Sequence, residues 1–114
     1  MRVAPILAIA TVATTVACVA TPPPRTQLAA AQAELEHAEV DGAVDMPDAR
    51  LHLQLASEDL EQARRIAVDD PAHAASLAKV AYAEARLAGS LARRGDARAR
   101  ARAVEAELRK TTEP

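Results

Sequence analysis

Small apolar residues recur along the middle of the chain at alternating spacings of four and three residues. Such spacing keeps the apolar side chains on one face of an α-helix, as in a coiled-coil seam. The first series consists of Ala49, Leu53, Ala56, Leu60, Ala63 and Ala67. The second consists of Ala74, Ala78, Ala81, Ala85, Ala88 and Ala92. The pattern therefore predicts two long helices, each with a continuous narrow seam.

A shorter helix is predicted before these two. Thr26 is a plausible N-cap, and Gly42 is a typical residue after a helix C-terminus. Between them one helical stripe is formed by Leu28, Ala31, Leu35 and Ala38. The second helix should then run from Pro47 to about Val68, because Pro is well tolerated at a first helical position.

The break before the third helix is short. Asp70 can cap that helix, and Pro71 suits its first position. A short break between two matched seams predicts an antiparallel helical hairpin, on which the first helix can pack. The predicted fold is all-α: an Ala-rich hairpin with a preceding shorter helix, with tetratricopeptide-like or coiled-coil-like packing.

The pattern changes phase after Leu91. Gly95 interrupts it, and the next stripe consists of Ala97, Ala101, Val104 and Leu108. Because no Pro intervenes, we expect the third helix to continue, straight or slightly bent, to about Lys110. The helical domain is thus predicted over residues 26–110, with a frayed tail at 111–114.

Composition agrees with this pattern. Half of the 114 residues are hydrophobic, yet only 1% are aromatic. A β-sandwich or barrel needs runs of β-branched and aromatic residues, and these runs are missing. Alanine also buries little surface per residue, so a large core is not expected. The apolar half of the chain is therefore mostly Ala, suited to closely packed helices.

The start of the chain has the pattern of a secretory signal peptide. A single charge, Arg2, precedes an apolar run from Val3 to Ala17, and the next charge is Arg25. A basic start, an apolar middle and small residues at the end are typical of such a leader. Its length is marginal for a membrane span. We expect residues 1–17 to be a signal peptide and the rest of the chain to be exported.

The only cysteine, Cys18, directly follows this run. The segment Thr15-Val16-Ala17-Cys18 resembles the lipobox of bacterial lipoproteins, which implies that Cys18 is lipid-modified and anchors the chain to a membrane. Residues 18–25 would then form the lipidated, Pro-rich tether. An ordinary signal peptide and an uncleaved membrane anchor are the two alternatives.

The hairpin itself resembles a known family. The matching features are Leu60–Ala67, the Asp69-Asp70 turn and Ala74–Ala88. They are similar to an uncharacterised Ala-rich family of bacterial envelope lipoproteins, sometimes joined to OmpA-like peptidoglycan-binding domains. The turn differs, with Asp69 at the family's Gly and Pro71 at its aromatic residue. The resemblance implies an envelope location and no known activity.

No catalytic, cofactor or metal site is predicted. The histidines, His37, His52 and His73, fall in separate helical segments, without a second His or Cys at the spacing of a helical metal site. The three glycines stand far apart, so there is no phosphate-binding loop. The clustered carboxylates lie among Ala and Gln, whereas a catalytic pair needs a shielded member. We therefore do not expect an enzyme.

One cluster of charge is unusual. Within ten residues the chain places Arg93, Arg94, Arg98, Arg100 and Arg102. Nucleic acid is not an expected partner, given the exported location, the net charge of −2 and the lack of aromatic residues for stacking. These arginines are instead candidate contacts to an anionic surface, such as lipid headgroups or wall polymers. The alternative is a solvated helix end, where the dipole favours cations.

The sequence favours a lipid-anchored envelope protein with a structural or protein-interaction role. Its expected partners are envelope proteins, peptidoglycan or a second copy of the chain. Val19 follows Cys18, so the Asp of the inner-membrane retention signal is missing and we expect the outer membrane, facing the periplasm. The alternative function is a small tetratricopeptide-like peptide-binding module in the periplasm, for which Tyr82 is the only aromatic residue available.

Overall fold

The computed structural model describes residues 22–113, and within them the protein is a three-helix all-α structure. Helix α1 spans Arg25–Val40, α2 spans Pro47–Ile66 and α3 spans Pro71–Thr112, with a short 3-10 turn at Ala43–Asp45 between α1 and α2. The predicted signal peptide at residues 1–17 and Cys18 lie outside the described residues. The predicted all-α fold is confirmed.

Local chemistry accounts for the helix ends. The Asp70 carboxylate accepts a hydrogen bond from the His73 backbone N–H at 3.1 Å, and Pro71 occupies the first turn of α3. Gly42 follows the end of α1 with a φ of 89°, in the left-handed region that glycine adopts without a steric cost. Both of these predictions are confirmed.

The predicted Thr26 cap is wrong, because α1 begins one residue earlier, at Arg25. The first acceptors are proline carbonyls: the N–H of Leu28 donates to Pro24 at 3.0 Å, and no side chain caps the helix. Proline has a φ close to that of a helix, and its missing N–H leaves no donor unpaired before the helix. The three prolines can therefore lead directly into the first turn.

Both predicted seams are buried, each residue being at most 8% exposed. The buried side chains of α2 alternate Ala with Leu53 and Leu60, whereas those of α3 are all Ala apart from Gly89. From α1 the core receives Ala31, Leu35 and Ala38. Leu51 and Leu55 of α2 flank the seam and remain 57% and 39% exposed. Alanine seams let helix backbones approach closely, and many small contacts then replace bulky burial.

The three helices alternate in direction: α2 and α3 form an antiparallel hairpin, and α1 packs beside it. Helix α2 runs antiparallel to α3, with His52 of α2 bonded to Glu84 of α3. Helix α1 runs parallel to α3, because its start lies beside Pro71 and Ala75 while Asp41, just after its end, contacts Arg93. The described chain therefore begins at the same end of the bundle as α3.

Helix α3 passes through Gly95 without a break and ends at Thr112, two residues beyond the predicted end. The hydroxyls of Thr111 and Thr112 donate to the Leu108 carbonyl at 2.8 and 3.0 Å, which adds side-chain hydrogen bonds to the last turn. The continuous third helix is confirmed.

Candidate interaction surface

The last part of α3 extends beyond the other two helices. From Asp96 to Glu113 every residue is exposed, and Ala92 is the last buried one. We call Arg93–Thr112 the arm. A straight helix of this length is about 30 Å long.

The base of the arm is fixed to the bundle at two points. The Arg93 guanidinium pairs with the Asp41 carboxylate after α1. Close by, Gly89 leaves the room for this contact, since a Cβ there would lie 3.1 Å from an Asp41 carboxylate oxygen. On the other side the Met46 thioether lies directly over Gly95, in the space that a Cβ would occupy. Gly95 therefore serves close packing and not a kink.

The five arginines divide into two rows along the arm. Arg93 and Arg100 face the same cleft, beside Val40 and Asp41. Arg100 also pairs with Asp96 one turn earlier. The second row starts beside Met46 and Asp48 and consists of Arg94, Arg98 and Arg102. Among residues 22–113, no side-chain hydrogen bond or ion pair involves this second row.

An apolar stripe lies between the two rows of arginines. It consists of Ala97, Ala101, Val104 and Leu108. Val104 and Leu108 are each 59% exposed. The stripe does not continue the buried seam, because Ala97 follows Ala92 by five residues and is turned about 140° around the helix axis. It is therefore rotated away from the buried seam, and its first residue, Ala97, lines the cleft beside Val40 and Asp41.

Charge is segregated between bundle and arm. Residues 25–92 carry six Lys and Arg against twelve Asp and Glu, a net charge of −6, whereas residues 93–113 carry seven against four, a net charge of +3. Residues 93–102 carry five Arg and one Asp, a net charge of +4, whereas residues 103–113 carry three Glu against Arg109 and Lys110, a net charge of −1. The arm thus differs from the bundle in sign and also has an internal polarity.

Two polar contacts between helices were not predicted. His52 Nδ1 lies 2.6 Å from a Glu84 carboxylate oxygen, with both side chains 28% exposed. The Arg64 guanidinium of α2 donates to the Gln32 side chain of α1 at 2.7 Å. Antiparallel alignment of the two Ala seams brings positions 52 and 84 close together, so the His52 contact has a sequence signal that was not used.

The histidines do not form a metal site. His37 is exposed, His52 is bonded to Glu84, and His73 lies 3.8 Å from Asp70. Throughout residues 22–113 there is no group of three or more His, Cys, Asp or Glu side chains arranged to hold a metal ion. Tyr82 borders a shallow apolar depression on α1 and α3, with the Arg86 guanidinium 5.8 Å from its ring centroid.

Two further findings bear on the interpretation. In the part of the chain that the structure describes, no helix combines the length and apolar character needed to cross a membrane. Comparison with protein-family models, curated proteins and solved structures finds nothing that matches this chain. The resemblance to envelope lipoproteins stays a prediction.

Proposed function

We propose that this protein is a non-catalytic, lipid-anchored component of the bacterial cell envelope, held at the outer membrane through Cys18 and facing the periplasm. Its role is structural: the bundle positions the arm for contacts with other envelope components. The observation that carries the proposal is the position of the arm. It projects from one end of the bundle, whereas the chain that leads from Cys18 enters at the other end, beside Pro71.

Chain length supports an anchored bundle. Only Val19, Ala20 and Thr21 stand between Cys18 and Pro22. Fully extended, the chain from Cys18 to Pro22 reaches about 14 Å, so a lipid on Cys18 would keep the start of α1 close to the membrane surface. An upright α3 would then carry the tip of the arm about 60 Å further out.

The test of the anchor is metabolic labelling with an alkyne fatty acid in a bacterial host, followed by separation of the inner and outer membranes. We expect the wild-type chain to incorporate the label and to sediment with the outer membrane. Cys18→Ser should lose all label, because a hydroxyl cannot replace the acylated thiol. Thr15→Leu, which improves the match to the lipobox, is the matched control and should remain labelled.

Two results would contradict this proposal. One is a wild-type chain without label, which would leave ordinary secretion or an uncleaved anchor. The other is label that persists in Cys18→Ser, which would place the acyl chain elsewhere. The distribution of Cys18→Ser between the soluble periplasm and the membranes then distinguishes ordinary secretion from an uncleaved anchor.

A further inference from the structure

The exposed stripe of the arm pairs small with large residues when it meets its own copy in the antiparallel direction. The register that sets Ala97 opposite Leu108 of the second copy also sets Ala101 opposite Val104. Each layer then joins one Ala to one larger side chain, so the two helices keep a uniform separation. A parallel, in-register pair instead stacks Ala on Ala and Leu on Leu. The hairpin of this chain already packs Leu53 and Leu60 of α2 antiparallel to the Ala seam of α3.

The charges beside the stripe favour the same arrangement. In that antiparallel register, Arg98 lies nearest to Glu105 of the second copy and Arg100 nearest to Glu107, and the two-fold axis repeats both pairs. In a parallel pair Arg100 would still meet Glu105, but Arg93 would lie beside Arg98. Arg100 is available for this contact, because its side chain is 79% exposed and its ion pair with Asp96 lies at the surface.

The arm is long enough to overlap fully with the arm of a second copy. In the register defined by Ala97 and Leu108, Arg93 lies level with Thr112 of the second copy. The two arms therefore overlap over their whole length, and each bundle begins where the other arm ends. Because Ala101, Val104 and Leu108 of the stripe are exposed beyond the end of the bundle, the second helix can pack on them without displacing α1 or α2.

From these observations we infer that the arm is a self-association surface that binds the arm of a second copy in the antiparallel direction. The resulting rod has a bundle at each end, with the two starts of α3 about 95 Å apart. The inference does not depend on a lipid at Cys18. It identifies one partner for the exposed surface, in which Glu105 and Glu107 of each arm face Arg98 and Arg100 of the other.

The direction of pairing is measured by the distance between spin labels. The full chain carrying Cys18→Ser and a nitroxide on Thr112→Cys is solubilised in dodecyl maltoside, which covers the apolar leader. Antiparallel arms should place the two labels about 30 Å apart, from the axial offset and the helix separation. A distance below about 20 Å would show parallel pairing and would overturn the inference.

The charge pairs are tested by reversing side-chain charges in the same labelled chain. The amplitude of the interchain nitroxide distance is measured as a function of protein concentration. Arg98→Glu with Arg100→Glu turns all four pairs repulsive and should raise the dissociation constant about tenfold or more. The matched control, Arg102→Glu with Arg109→Glu, makes the same change of net charge on the outer face of the arm and should dimerise like the parent. Adding Glu105→Arg and Glu107→Arg to the first variant should restore pairing with exchanged charges.

Two further outcomes overturn the inference. One is a parent chain that shows no distance between nitroxides on different copies at any concentration tested. The other is equal weakening of both double variants, which would mean that net charge and not pairing is measured. A monomeric parent that binds phosphatidylglycerol vesicles through its arginines would replace the second copy with an anionic surface. Circular dichroism of each variant confirms that the arm remains helical.

Discussion

Leu60→Ala should lower the free energy of unfolding by about 3 kcal/mol. Leu60 is 2% exposed and is the largest side chain that is fully buried in the described chain. Its neighbours on the facing seam are alanines, which cannot extend to fill the space that it would leave. Since a small domain has only about 5–15 kcal/mol of stability, this substitution removes a large part of it. Urea unfolding followed by far-ultraviolet circular dichroism measures the loss.

Leu51→Ala is the matched control, because it makes the same change on the same helix at a side chain that is 57% exposed. We expect its effect to stay below about 1 kcal/mol. Equal losses for the two variants would contradict the assignment of Leu60 to the interior seam and of Leu51 to its exposed flank.

Ala85→Leu should destabilise the bundle by about 3 kcal/mol, because it adds volume to a core that has no space for it. Ala85 is completely buried in the middle of the α3 seam. Three added carbons would have to push α2 or α1 away from α3, and neighbouring layers would lose their contacts. Thermal and urea unfolding of this variant measure the effect.

Ala83→Leu is the control for that substitution. Ala83 is exposed on the same helix two residues away, so the same added volume projects into water. Its stability should change by less than about 0.5 kcal/mol. A bundle that accepts Leu at Ala85 as easily as at Ala83 would not be packed through alanine seams.

The heptad-like spacing made the bundle predictable. Alanine at alternating spacings of four and three residues predicts a helix that packs closely on one face. The Asp70-Pro71 break separates two such helices. The burial of Ala49, Ala63, Ala81 and their fellow seam residues follows from this spacing alone. The helix ends were predicted to within one or two residues, since caps and prolines act locally.

Contacts between helices were harder to predict, because they depend on how the helices dock. Gly95 interrupts the apolar pattern in the sequence, yet in the structure it leaves room for Met46, which lies between α1 and α2. The five arginines form one basic cluster in the sequence, but the structure divides them into two rows. Docking of α1 engages Arg93 with Asp41, and Arg100 pairs with Asp96. Asp41 cannot be recognised as a partner without knowing that α1 runs parallel to α3, whereas Asp96 stands four residues before Arg100 on the same helix.

Both proposals depend on a straight arm that leaves the bundle at Gly95. A helix that folded back there would hide the stripe and would bring the arginines onto the acidic bundle. Met46 and the Arg93–Asp41 pair hold the base of the arm against this movement.

The most direct measurement is therefore the distance between nitroxides on Ala72→Cys and Thr112→Cys in one chain carrying Cys18→Ser. The labelled chain is diluted with unlabelled chain, so that only distances within a molecule contribute. A continuous α3 predicts a single narrow distribution near about 60 Å. A distribution centred below about 45 Å would show that the helix turns back at Gly95, and would contradict the projecting arm.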